Sequence, residues 1–94
     1  MNEKIIKEGS ANWFHGIGSK GGKLILTNIT LYFEGHNANI GKKEYEVELE
    51  SITGISTGFP NSLKIATNSG TETFAVNGKK DWANAISEAI QELE

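Results

Sequence analysis

The sequence predicts a mainly β chain: about seven short antiparallel strands curled into a small barrel or orthogonal sandwich, capped by one C-terminal helix. Three observations predict it. Apolar residues alternate with polar ones along several short runs. Eleven glycines and nine asparagines separate those runs, as turns require. Only after Gly78 does the apolar period lengthen from two to about four. Seven strands in fewer than eighty residues cannot build two large sheets, so they must curl. The open end of such a barrel suits a helix with one apolar face.

The elements follow in order. Ile5 to about Phe14 reads as a first strand, bent near Gly9. Gly16 to Gly22, with four glycines in seven residues, reads as a loop. Lys23 to Thr27 and Thr30 to Glu34 read as two strands joined by a tight turn at Asn28-Ile29, since asparagine tolerates the positive φ of hairpin turns. His36 to Lys43 is a polar loop. From Glu44 to Glu50, Tyr45, Val47 and Leu49 alternate with glutamates, which predicts a strand with one face on a core and one in water.

Ser51 to Thr57 is the next strand, with Gly54 as a bulge. Gly58-Phe59-Pro60-Asn61 is a turn, and Leu63 to Thr67 with Glu72 to Asn77 form a last hairpin. In the helix, about residues 79–93, Trp82, Ile86 and Ile90 recur at steps of four, with Ala85, Ala89 and Leu93 beside them. Asn77 is the expected N-cap, and Asp81 sits in the first turn, where the helix dipole favours an acid. A helix this short is marginal alone, so its stripe must pack on the strands. The expected core therefore centres on Tyr45, Val47, Leu49, Trp82, Ile86 and Ile90.

Composition narrows the function. Ninety-four residues make one domain spanning 1–94. Without cysteine there is no disulfide, thiolate metal site or cysteine nucleophile. All nine basic residues are lysines and the net charge is −3, which argues against nucleic-acid binding and against strong attachment to anionic membranes. The first eight residues hold no apolar signal core, so the expected location is cytoplasmic. No cofactor is expected.

The stretch Gly22-Lys23-Leu24-Ile25-Leu26-Thr27-Asn28-Ile29-Thr30-Leu31-Tyr32-Phe33 resembles the "G-x-L-x-L-T-x-x-R-L-x-F" hairpin of GRAM and bacterial pleckstrin-homology-like (PH-like) domains. Val47 to Ile55 is similar to the strand and "I-x-x-I/V" step that follows in that family. Leu63 to Thr67, Gly70 to Val76 and a helix opened by Asp81-Trp82 complete the order, so the likeness runs from about Ala11 to Ile90. The family's arginine is Thr30 here. The resemblance implies a seven-stranded bent barrel capped by a helix, and a binding or membrane-recruitment module that is not an enzyme. It also directs attention to the first interstrand loop, where basic residues hold phosphoinositides in some pleckstrin-homology domains. The matching loop here offers His15, Lys20 and Lys23.

Each candidate site has a plain alternative. Gly16-Ile17-Gly18-Ser19-Lys20-Gly21 spells G-x-G-x-x-G, but a strand follows where a dinucleotide fold needs a helix. It reads as a flexible hairpin loop, with an anion-touching loop as the alternative. Glu44, Glu46, Glu48 and Glu50 form an acidic row: a solvated face that discourages edge pairing, a shared cation site, or a docking face for a basic partner. His15 and His36 have no acid spaced to make a catalytic set. Trp13, Phe14 and Phe59 are either core residues or interface aromatics.

Three functions compete on these grounds. The first is a non-catalytic module that binds another protein, or itself, through a strand edge or the loop-rich end. The second is weak membrane or lipid contact through Lys20 and Lys23 with Trp13 and Phe14. The third is a small-ligand carrier or enzyme, which would need space inside a barrel that side chains of this size normally fill.

Overall fold

Alternating inward side chains draw seven strands into one antiparallel sheet. They are β1 (Ile5–His15), β2 (Gly18–Thr27), β3 (Thr30–Gly35), β4 (Tyr45–Glu48), β5 (Ile52–Gly58), β6 (Ser62–Thr67) and β7 (Gly70–Val76), followed by helix α1 (Lys79–Glu92). The structure is a computed structural model that describes residues 3–35 and 43–93, with His15 described by its backbone alone. The order across the sheet is β4-β3-β2-β1-β7-β6-β5, so β4 and β5 are the two edges.

The long first strand makes the curl. β1 pairs with β2 along nearly its whole length, from Ile5↔Thr27 to His15↔Gly18. It pairs with β7 only from Ala11 to Phe14. Before Ala11 the two strands part, and α1 enters there: Trp82 lies 3.6 Å from where a Cβ on Gly9 would stand, and the Lys7 ammonium sits 5.1 Å from the Trp82 ring centroid. Helix residues Trp82, Ile86 and Ala89 are buried in one cluster with Leu49, Leu63, Ile65 and Val76, with Ala85 and Ile90 packed at its margin. Tyr45 and Val47 are half-buried on the same cluster.

The structure corrects several boundaries. Gly18 to Gly22 belongs to β2, and the hairpin turn is only Gly16-Ile17, with Gly16 at φ +66°. Positive φ at the first of two central residues is what a tight hairpin of this kind demands of glycine. Gly22 is glycine for another reason. It faces Gly35 across β2 and β3, and a Cβ there would collide with the Glu34 carbonyl and lie 2.7 Å from Phe33 Cζ. Asn28 turns the chain without positive φ, since among the described residues only glycines have it. The work falls to Thr27, whose Oγ1 accepts the amides of Ile29 at 3.2 Å and Thr30 at 2.9 Å.

β4 stops at Glu48. Leu49–Ser51 is a short 3₁₀ turn, and Leu49 remains fully buried with its amide bonded to the Ile29 carbonyl at 2.9 Å. Alternation alone does not separate these cases, because the turn keeps Leu49 pointing inward. The register of β5 on β6 shifts between Ile52 and Gly54. The helix N-cap is Gly78, at φ +73°, and not Asn77; the Trp82 amide donates to the Gly78 carbonyl at 2.9 Å. Leu93 lies past the helix as its C-cap and is nearly half exposed, so it is not on the buried stripe.

Candidate functional site: the first hairpin and the sheet edges

Strand geometry splits the residues that the sequence groups at the first hairpin. Side chains alternate between faces, so Lys20 and Lys23, three apart, stand on opposite faces of β2. Lys20 faces Trp13 across the ladder, on the side of Leu24 and Leu26, whereas Lys23 faces Ser10 and Glu34. Each lysine already holds an acid. Lys20 Nζ is 3.1 Å from Glu44 Oε1, and Lys23 Nζ is 3.2 Å from Glu8 Oε1. Lys43 Nζ is 2.9 Å from Glu46 Oε2 and 4.4 Å from the Tyr32 ring centroid. Its hydrogen bond to Glu46 holds its pKa above the ordinary lysine value. Lys20 and Lys23 therefore do not converge on one face, and each, like Lys43, faces a carboxylate. The His15 side chain, His36 and Lys42 lie outside the described residues.

The same contacts break up the acidic row. Glu44 turns back to Lys20 in the space that Gly35 leaves open, since a Cβ on Gly35 would strike the Glu44 carboxylate. Its Oε2 is buried without a hydrogen-bond partner among the described residues. Glu46 is held by Lys43, and Glu50 lies in the 3₁₀ turn. Among the described residues no three side chains of the metal-ligating types come together.

Of the three candidate aromatics, Trp13 is core. It is buried, and its ring centroid lies 5.7 Å from Phe33, 5.7 Å from Tyr45 and 6.4 Å from Phe74. These spacings fall in the range where aromatic rings attract beyond simple burial. Trp13 Nε1 donates to Glu72 Oε1 at 2.8 Å, so the polar end of the indole is met by a carboxylate. Burial first, and the Glu72 charge second, raise the Tyr45 pKa above that of free tyrosine. Phe14, one residue on, faces outward and is 47% exposed. Ile17 at the hairpin tip and Phe59 in the β5–β6 turn are almost wholly exposed. They do not form one patch: Phe14 is level with Thr73 of β7, while the Phe59 turn adjoins Val76, whose amide bonds to the Asn61 carbonyl.

Sequence reasoning missed two features. One is an acid-and-hydroxyl cluster at the β2–β3 turn. Thr27 Oγ1 donates to Glu3 Oε2 at 2.8 Å, and Thr30 Oγ1 donates to the same oxygen. These bonds, that of Thr30 foremost, hold the Glu3 pKa below the ordinary carboxylate value. Thr30 stands where the family pattern has arginine, and its hydroxyl turns inward to this cluster. The other is the contrast between the sheet edges. β4 is four residues long and carries Glu46 and Glu48, whereas β5 is seven residues long and carries no charge. No helix of the described residues is long and apolar enough to cross a membrane.

No family model matches this chain, and no curated protein matches it. Solved structures do match. The N-terminal PH domain of human ARAP2 superposes with a TM-score of 0.79 at 13% identity, covering 94% of this chain and 81% of that one. The C-terminal PH domain of pleckstrin gives 0.74 at 20% identity, covering 92% and 97%. The DH/PH domains of PDZ-RhoGEF in complex with activated RhoA give 0.78 at 14% identity, covering 98% of this chain and 31% of that one. The chain has the PH-like fold: a seven-stranded antiparallel sheet with one C-terminal helix.

Proposed function

We propose that this chain is a non-catalytic PH-like module of the GRAM type whose ligand is another protein or a second copy of itself; the likeness of the Gly22–Phe33 hairpin supports the GRAM reading. One observation carries the choice of protein over lipid. Lys20, Lys23 and Lys43 are each committed to a glutamate, on two faces of the sheet, so the positive potential that would hold an anionic headgroup is neutralised where it arises. The barrel interior is filled by Leu24, Leu26, Leu31, Phe33, Leu63, Ile65 and Phe74, all with no exposed surface, which supports recognition on the outside. Among the solved structures of similar fold, three are DH/PH fragments in complex with a protein, RhoA.

The test has two arms. The immobilised chain should retain a defined protein from native lysate in a saturable, stoichiometric complex, and it should not co-sediment with anionic vesicles. Salt-sensitive vesicle binding lost on Lys20→Glu would overturn the protein reading in favour of a lipid one. Ile17 and Phe14 at the hairpin tip are the specific observation behind that second reading, because an exposed apolar tip beside a lysine can enter a headgroup layer. An Ile17→Ser variant separates the two: it should weaken vesicle binding and leave a protein complex made elsewhere intact.

A further inference from the structure

We infer that the β5 edge is the recognition surface, and that its occupant is the β5 strand of a second copy, paired antiparallel about a two-fold axis. This rests on the protein-binding reading above and names its partner. An edge strand offers a row of unpaired amides and carbonyls, and proteins ordinarily guard such edges with charge, shortness or cover. β4 is guarded in this way: it is short, and pairing it with its own copy would set glutamate against glutamate. β5 has neither charge nor shortness to guard it; its register shift at Thr53 and the flank of α1 at Ser87, Ile90 and Gln91 lie along Ile52 to Ile55. Ile52-Thr53-Gly54-Ile55-Ser56-Thr57-Gly58 is uncharged, Thr53, Ser56 and Thr57 are exposed, and among the described residues β6 is its only strand partner. Apart from β6, the described backbone bonds to it only at its start, where the Ile52 amide donates to the Leu49 carbonyl.

Charge at the two ends of β5 selects the occupant and its direction. Beyond Gly58 the end is basic, because Lys79 Nζ donates to the Gly58 carbonyl at 2.8 Å. Before Ile52 it is acidic, with Glu50 exposed two residues upstream. Two copies paired antiparallel set the Lys79 end of each against the Glu50 end of the other, twice by symmetry; a parallel pair would set like on like. A register centred on Ile55 spans all seven residues, with the bulge between Ile52 and Gly54 at each end, and brings Thr53 of one copy beside Thr57 of the other, a favourable cross-strand pair. Beside the edge, Ile52, Ile55 and Ile90 line a shallow groove of about 320 Å³ that receives side chains from an added strand.

The register gives the test. Sedimentation velocity of the full chain, followed by mass action up to about 0.5 mM, should show a monomer–dimer equilibrium. Thr53→Lys with Thr57→Lys sets lysine against lysine at both symmetric pairs and should weaken the dimer at least about tenfold, with circular dichroism unchanged. Thr53→Lys with Thr57→Glu carries as many new charges but sets opposite signs face to face, and it should recover the wild-type equilibrium to within about threefold. A wild-type monomer throughout, or a dimer indifferent to the double lysine, overturns self-pairing through β5. The broader reading fails separately, when a monomeric chain retains no protein from lysate.

Discussion

At one mouth of the barrel Trp82 is carried in by a helix, whereas at the other Trp13 is carried by a strand and held among three further rings. The two indoles are about equally buried, but they depend on different parts of the chain. Trp82 needs α1 to dock where β1 and β7 have parted, over Gly9 and beneath Lys7. Trp13 needs the β1–β2 hairpin to stay in register, so that Phe33, Tyr45 and Phe74 meet around it and Glu72 reaches its N–H. Among the described residues the core around both indoles is filled, with Leu24, Leu63, Ile65 and Phe74 wholly buried.

Removing either plug should have the largest effect. Trp82→Ala leaves a cavity under the helix and should cost about 3–5 kcal/mol in urea unfolding, much of the roughly 5–15 kcal/mol a small domain has. Trp13→Ala should cost a similar amount, but Trp13→Phe should distinguish the mouths. It keeps a ring and strips Glu72 of its donor, so Glu72→Ala, which removes the acceptor, should add little further loss in that background and more in the wild type. Strict additivity of the two would show that the hydrogen bond is not a coupled feature of that mouth.

Gly22→Ala comes next. The new Cβ meets backbone and the Phe33 ring, so β3 must shift; about 1–3 kcal/mol should be lost, with altered near-ultraviolet dichroism from the Trp13 cluster. An unaltered spectrum and melting point would show that the close approach of β2 and β3 is not required.

At the helix-closed side the smaller lever is the Glu3–Thr27–Thr30 cluster. Thr30→Val should cost about 0.5–1.5 kcal/mol at neutral pH. The Glu3 pKa is depressed in the fold, so its contribution is complete above the unfolded carboxylate value and is lost as pH falls through the lower folded one. The wild-type advantage over Thr30→Val should therefore shrink in acid, and a constant difference across that range would refute the assignment. Least of all, Lys20→Glu should change stability by no more than about 1 kcal/mol, since exposed ion pairs contribute little.

The contrast between the mouths also sorts what the sequence reveals. Trp82, Ile86 and Ile90 are legible because a four-residue apolar step means one helical face whatever lies opposite. Trp13 is ambiguous from sequence: it sits beside an exposed Phe14 and a run of glycines, and only the pairing of β1 with β7 turns it inward. Those glycines read as a loop, yet most of them lie in a strand, because Gly22 answers to Phe33 and Glu34 eleven and twelve residues away. The ion pairs at the lysines of the first hairpin are hidden for the same reason. The Lys20–Glu44 and Lys23–Glu8 pairs span 24 and 15 residues, and no local pattern announces them. The short turn at Leu49 is equally hidden, since an inward leucine looks alike in a strand and in a 3₁₀ turn.

Acrylamide quenching of the two single-tryptophan variants, Trp13→Phe and Trp82→Phe, tests most directly whether both mouths are shut. In native buffer each remaining indole should quench at a small fraction of the rate of free tryptophan, and at the free rate once unfolded in urea. A folded variant whose remaining indole quenches freely would mean that its mouth is open, and that the barrel interior is available to a ligand.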